Sequence, residues 1–279
     1  MTDAHRQLVR RLFPSLACVT FRPVGTGWAC DTYLLDDAWI VQLPRTEQAA
    51  EKLRTQMRVL PELAREVSAP IPLPELVSYQ PAAMAYRRIE GDPCEGTEGI
   101  WPGRLGRFLY DLHAVPPEFV GLRARGADDV RVEVRAEASR LRALVDQLLS
   151  VDERSRADRA MARYLDDDDL WRFAPCLTHG DLGPEHVLVT GSGDLAGVID
   201  WEEASVGDPA WDFAWWLHER PHVAERALAA YGGASDAGFL RRARGAYVLM
   251  PWHEVAYGLT DGPDASVGTG LEGVRRRLG

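Results

Sequence analysis

Thr178-His179-Gly180-Asp181-Leu182-Gly183-Pro184-Glu185-His186-Val187-Leu188-Val189 is the stretch on which the fold turns. Titratable residues mixed with Gly and Pro run into three consecutive apolar residues, the pattern of a loop feeding a short strand. A turn at Gly191-Ser192-Gly193-Asp194 and a second strand around Ala196-Gly197-Val198-Ile199 follow, ending at Asp200-Trp201-Glu202-Glu203. Asp181, before this hairpin, and Asp200, on its far side, can therefore face one another across a cleft. His186, five residues after Asp181, adds a neutral donor. Phosphoryl transfer needs little more: an Asp to orient a hydroxyl and take its proton, and ligands for a Mg²⁺ that bridges nucleotide phosphates. Cys176, His179 and His186 can also be read as zinc ligands, but no HExxH-like spacing supports a zinc hydrolase.

Outward from this stretch the chain divides into two textures. Downstream, Gly207-Asp208-Pro209-Ala210-Trp211-Asp212-Phe213-Ala214 opens a helical region that runs to the end. Upstream, helices are expected over Leu105 to His113, Val130 to Leu149 and about Asp152 to Leu165, with Asp166-Asp167-Asp168-Asp169 as a solvated turn. Before Gly91-Asp92-Pro93 strands dominate: Val19-Thr20-Phe21, Thr32 to Leu35, Trp39 to Leu43, Leu76 to Tyr79 and Ala83 to Arg87. A short N-terminal helix ends at Pro14. A second, capped by Thr46, carries Ala49, Ala50, Leu53, Met57 and Leu60 on one stripe, with Gln56 as its polar exception. The expected architecture is α+β: a small β-rich lobe over residues 1–90 that binds a nucleotide, and a larger helical lobe over residues 91–279 that carries catalysis and the acceptor.

Composition narrows the partner. Against 42 acidic residues stand 32 basic ones in a 279-residue chain, a net charge of −10. Such a surface is a poor match for nucleic acid or an anionic membrane and suits a cationic small molecule. Lys52 is the only lysine; the other 31 basic residues are Arg, as coding bias would produce. Cys18, Cys30, Cys94 and Cys176 are too scattered for a metal knuckle and read as reduced thiols. The opening Met1-Thr2-Asp3-Ala4-His5-Arg6 lacks the apolar core of a signal peptide, and no apolar run approaches the ~20 residues of a membrane span. A cytoplasmic protein is expected.

Five segments in order carry a resemblance: Gly25-Thr26-Gly27, the Leu109-Tyr110-Asp111-Leu112-His113-Ala114-Val115-Pro116 segment, the His-Gly-Asp loop, Ile199-Asp200-Trp201 and Asp208-Pro209-Ala210-Trp211-Asp212. Together they resemble the aminoglycoside phosphotransferase family of antibiotic kinases, whose fold is similar to that of protein kinases. The resemblance implies a two-lobed kinase-like fold and transfer of the γ-phosphate of ATP, or of GTP, with Mg²⁺. It makes Asp181 the Asp that orients the acceptor hydroxyl and takes its proton late. It makes His186 and Asp200 metal ligands, His186 standing where most members carry Asn, and gives His179 and Asp212 the part of holding the loop. Gly25, Thr26 and Gly27 would cover the phosphates, and Met84 to Arg87, including Tyr86, would form the hinge that meets the adenine edge.

The resemblance fails at one place. The third strand should carry a phosphate-binding Lys paired with a Glu on the next helix, yet those positions hold Gln42 and Gln56. Losing both together is coherent, because one buried charge without its partner is costly. Arg45 is the nearest residue able to supply the missing charge, with Lys52 behind it. For the acceptor, Glu202, Glu203 and Asp208 form an acidic wall beside Asp181, to which Asp261 and Asp264 can add. The opening His5 to Pro14 and the absent Lys resemble the viomycin and capreomycin phosphotransferase branch, implying a basic cyclic-peptide antibiotic as acceptor. An aminoglycoside, a macrolide, a small metabolite, or a pseudokinase that binds antibiotic without turnover are the alternatives.

Overall fold

The computed structural model describes residues 2–24, 28–94, 99–232, 236–260 and 262–278. Its first lobe is a five-stranded antiparallel sheet made of β1 (Phe21–Pro23), β2 (Cys30–Leu35), β3 (Trp39–Pro44), β4 (Leu76–Tyr79) and β5 (Ala82–Arg87), in the order β1-β2-β3-β5-β4. Helix α1 (Thr2–Leu12) covers one face, packing Val9 and Phe13 against Tyr33, Leu35, Val41 and Leu43. Helix α2 (Glu47–Leu63), inserted between β3 and β4, covers the other, where Leu53 and Met57 meet Met84 and Tyr86. The period of two along a strand explains the division: Val41 and Leu43 face α1, while Ile40 and Gln42 face α2. Thr46 caps α2 by accepting the Ala49 N–H at 3.2 Å. Every apolar residue of the expected stripe is buried, and Gln56 is buried with them at 7% exposure. Asp36 and Asp37 both take positive φ at the centre of the β2–β3 turn, which the Ala38 N–H closes on the Leu35 carbonyl at 3.0 Å.

The second lobe is helical around two small sheets. Short strand β6 (Asp92–Pro93) precedes α3 (Trp101–Ala114), α4 (Ala127–Val145) and α5 (Val151–Leu165). Then come β7 (Cys176–Thr178), β8 (Val187–Val189), β9 (Leu195–Val198) and β10 (Ser205–Gly207), followed by α6 (Trp211–Glu219), α7 (Pro221–Tyr231), α8 (Phe239–Thr260) and α9 (Asp264–Leu278). β8 pairs with β9 as the expected hairpin, β6 joins its edge, and β7 pairs with β10. One core joins α3, α6 and α7 beneath the hairpin; a second joins α4, α5, α8 and α9. The two-lobed α+β, kinase-like architecture expected from the sequence is the one observed.

Some local expectations change. Strands β6, β7 and β10, two or three residues each, carry too little periodicity to be read from sequence. The acidic run is not simply solvated: Asp166 and Asp168 pair with Arg135 and Arg131 of α4, and Asp167 with Arg241 of α8. It stitches the helical layers together. Among the described residues no helix is long and apolar enough to cross a membrane, and all four cysteines are free.

Candidate active site

The loop after β7 is built around Asp212, in the first turn of α6. Its carboxylate accepts the His179 and Gly180 N–H groups, each at 2.9 Å, and His113 Nε2 of α3 at 3.0 Å. Tyr231 of α7 donates its hydroxyl to His113 Nδ1 at 2.7 Å. Burial pushes the Asp212 carboxyl up, but the hydrogen bonds from His113 and the Gly180 N–H outweigh it and hold the group below the usual carboxylate range. Trp211 Nε1 donates to the Gly180 carbonyl at 2.8 Å. Gly180 itself is obligatory: its φ is +84°, and an added Cβ would lie 2.4 Å from the Glu203 carbonyl oxygen.

His179 carries a determinate tautomer. Its Nε2–H donates to the Ile199 carbonyl at 3.0 Å, leaving Nδ1 to accept the Asp181 N–H at 3.3 Å. Burial depresses its pKa, so the ring is a neutral strut between the two sides of the hairpin.

Asp181, His186 and Asp200 converge. His186 Nδ1 donates to the Asp181 carbonyl at 2.7 Å, which turns Nε2 toward Asp200 Oδ2 at 3.5 Å. Burial disfavours charge on the ring, but Asp200 and Asp181 outweigh it and raise its pKa, so the two carboxylates draw positive charge to this point, a demand that a shared metal cation would also meet. Among the described residues no group of three His, Cys, Asp or Glu side chains could hold a metal ion by itself. Two converging donors nonetheless suit Mg²⁺, which commonly takes one or two protein ligands and completes its shell with phosphate oxygens and water. Asp200 holds a left-handed backbone at φ 65°, a conformation that Asp tolerates better than most residues. Asp181 keeps 60% of its side chain exposed, yet the cleft walls around it raise its pKa to about 6; His186 opposes the shift, and Asp200, Glu185 and Glu203 add to it.

The acidic wall is partly as expected. Glu203 is exposed and bonded to Lys52 Nζ at 2.5 Å. Glu202 is half-buried, its pKa pushed up to about 7 by burial and by Asp200, with Lys52 opposing. Asp208 departs from the expectation: it is 4% exposed and bonded to the equally buried Arg242 at 2.7 Å. Its carboxylate joins the segment before α6 to α8 and faces no acceptor. Asp264 starts α9 as an exposed residue, and Asp261 lies outside the described residues. Glu137 of α4 and His253 of α8, 3.4 Å apart, extend the wall; no sequence motif marked either.

The nucleotide side requires one correction. Met84 and Tyr86 lie inside β5, paired with Gln42 and Ile40, and their side chains are buried beneath α2. β3 pairs with β5 as far as Arg87, and the Arg88 N–H still donates to the Ala38 carbonyl at 2.9 Å, so the backbone outside this ladder begins at 89–91. Gly25, Thr26 and Gly27 lie outside the described residues. Gln42 faces α2 with its Oε1 buried and unpartnered, so it makes no hydrogen bond to Gln56 through that atom. Arg45 gives its Nε and Nη2 to Asp31, at 2.9 and 2.8 Å. Trp28, just past the glycine segment, stacks on Tyr257 of α8 with ring centroids 4.4 Å apart.

A family model described as "Phosphotransferase enzyme family" matches residues 20–247. The chain belongs to that family. It is thus a nucleotide-dependent phosphotransferase acting on a hydroxyl group, as the His-Gly-Asp loop and Asp200 led one to expect. Viomycin phosphotransferase of Streptomyces vinaceus is 29% identical, with 98% of this chain and 99% of that protein aligned. An uncharacterized protein of Bacillus subtilis (strain 168), YcbJ, is 26% identical over 63% of this chain, which spans only 61% of YcbJ. Among solved structures, the GDP and kanamycin complex of APH(2")-IIia superposes with a TM-score of 0.84 at 20% identity, covering 98% of each chain. The macrolide 2'-phosphotransferase MphH from Brachybacterium faecium gives 0.71 at 26% identity, covering 98% of this chain and 97% of that one.

Proposed function

We propose that this phosphotransferase moves the γ-phosphoryl group of ATP or GTP to a hydroxyl of a cationic antibiotic in the cytoplasm, where nucleoside triphosphate is available, and so confers resistance. A tuberactinomycin cyclic peptide such as viomycin or capreomycin is the favoured acceptor, ahead of an aminoglycoside or a macrolide. The observation that carries the reading is the convergence of Asp181, His186 and Asp200 beside a wall of Glu202, Glu203 and Glu137. The end-to-end similarity to viomycin phosphotransferase favours the peptide.

In this reading residues 1–90 hold the nucleotide and residues 91–279 the acceptor. The acceptor hydroxyl lies against Asp181, its oxygen attacks the γ-phosphorus, and the bond to the β–γ bridging oxygen breaks to release the nucleoside diphosphate. The hydroxyl proton passes to Asp181, whose raised pKa leaves it ionised at neutral pH yet a better base than an ordinary Asp. Mg²⁺ on His186 and Asp200 would neutralise charge on the phosphate oxygens. Because Gln42 and Gln56 are uncharged, Arg45 supplies cationic charge with the guanidinium N–H groups that Asp31 leaves free. Gly25, Thr26 and Gly27 cover the phosphates, and 89–91 meet the base.

A panel of viomycin, capreomycin, kanamycin and a macrolide, each with ATP and GTP and analysed by mass spectrometry, tests the reading. A single added phosphate on viomycin or capreomycin is expected. Asp181→Ala should reduce transfer by about 10²–10⁴-fold with an unchanged melting temperature. Binding of antibiotic with no added phosphate at saturating Mg²⁺ would refute the enzymatic reading.

A further inference from the structure

The solitary lysine lies in the middle of the acidic wall. Lys52 projects from α2 in the first lobe, and its ammonium meets Glu203, 151 residues away in the second, at 2.5 Å. Glu203 is not a casual surface carboxylate. Its backbone packs directly on Gly180, one residue before Asp181, so its side chain has a fixed origin next to the place where the acceptor hydroxyl must sit. Lys52 also lines a cavity of about 230 Å³ between the lobes with Glu51, Gln56, Leu122, Trp201 and Glu202. Its charge is felt as far as Glu137 and His253 of the second lobe.

We propose that the Lys52 ammonium occupies, in the free enzyme, the position that a cationic group of the acceptor takes during turnover, so that the acceptor binds by displacing Lys52 from Glu203. The inference rests on the cationic-acceptor reading above and adds to it a specificity-determining residue. Three properties fit Lys52 to this part. Its ion pair is half-exposed, with 34% and 54% of the two side chains accessible, so water screens it and it yields at little cost. Its four-carbon stem is flexible and ends at the half-exposed rim of the cavity, so the ammonium can swing from Glu203 into water. The exchange conserves charge, since one ammonium replaces another at Glu203. A neutral ligand gains nothing from Glu203 and leaves Lys52 in place, so the device selects for positive charge.

Two measurements on the full chain test it. In steady-state kinetics with viomycin and with kanamycin at saturating nucleotide, Lys52→Met should lower the acceptor KM three- to tenfold, with kcat changed less than twofold. Lys52→Arg should return the KM toward wild type. Because only one lysine exists, reductive methylation with ¹³C-formaldehyde gives a single lysine NMR signal beside that of the N-terminal amine. Adding viomycin or kanamycin should move that signal toward its position in Glu203→Gln. An acceptor KM in Lys52→Met that is unchanged or raised overturns the proposal, the latter marking a structural latch. A nucleotide KM raised more than fivefold also overturns it, marking a phosphate ligand. Should the wild-type chain phosphorylate neither antibiotic, the acceptor reading falls and this inference with it; phosphorylation with an unmoved Lys52 signal overturns this inference alone.

Discussion

Asp212→Asn is the sharpest test of how the site is held. The two side chains have the same shape, so any effect comes from charge and hydrogen-bond polarity. Three donors converge on the carboxylate: Gly180 N–H on one oxygen, and His179 N–H and His113 Nε2 on the other. An amide has one acceptor, so in either orientation its NH₂ opposes a buried N–H. A hydrogen bond to a charged group contributes about 1.5–3 kcal/mol, and one is lost outright. The bonds that remain fall to the neutral kind, roughly half as strong. The total is about 3–6 kcal/mol, or about 6–12 °C in melting temperature at the ~2 °C per kcal/mol expected for a chain of this length. Urea and thermal unfolding read the stability, and kcat reads the loop, since Asp181 follows the released residues directly. A loss below about 1 kcal/mol with kcat intact would refute the claim that Asp212 is the anchor of the loop.

Three further outcomes follow from the same structure. Arg242→Met leaves Asp208 buried without a counter-charge and should cost about 3–5 kcal/mol by urea denaturation, while the Asp208→Asn, Arg242→Met double variant should recover much of it; no recovery would show that the pair is not the reason. Gly106→Ala gains up to about 1 kcal/mol of helix propensity, but its Cβ would lie 2.0 Å from the Ala227 carbonyl oxygen where α3 crosses α7. Backbone cannot yield as a side chain does, so a net loss of about 1–3 kcal/mol is expected, and an unchanged melting temperature would argue against so close a crossing. Acid provides the third. Asp212 is held below its ordinary pKa, so its contribution is present above about pH 4 and fades as pH falls through the folded value. The stability gap between wild type and Asp212→Asn should therefore narrow from pH 5 to pH 2.5; a constant gap would mean that the carboxylate charge plays no part.

What the sequence made legible was local and periodic. The stripe of α2 is readable because Ala49, Leu53, Met57 and Leu60 repeat at helical spacing, and the β8–β9 hairpin because Gly191 to Asp194 marks its turn. Asp181 and Asp200 are legible because that hairpin fixes their distance. Asp208 was misplaced because proximity in sequence to Glu202 and Glu203 does not reveal burial; only Arg242, 34 residues later, explains it. Met84 and Tyr86 were assigned to the hinge because a strand end cannot be fixed from an apolar run. His113 lay in a quoted segment without a part, since its partners Asp212 and Tyr231 come from two distant helices. Glu137 and His253 face each other only through packing of α4 on α8, which no short motif encodes.

The lobes touch at more than their connecting chain. Behind the cleft lies the segment 88–91; in front of it, Trp28 stacks on Tyr257 and Lys52 reaches Glu203. The lobes are therefore fastened on both sides of the cleft, and a change in their mutual angle must part an aromatic stack and an ion pair. Salt weakens the second and leaves the first almost untouched, so the stiffness of the cleft is itself a function of ionic strength.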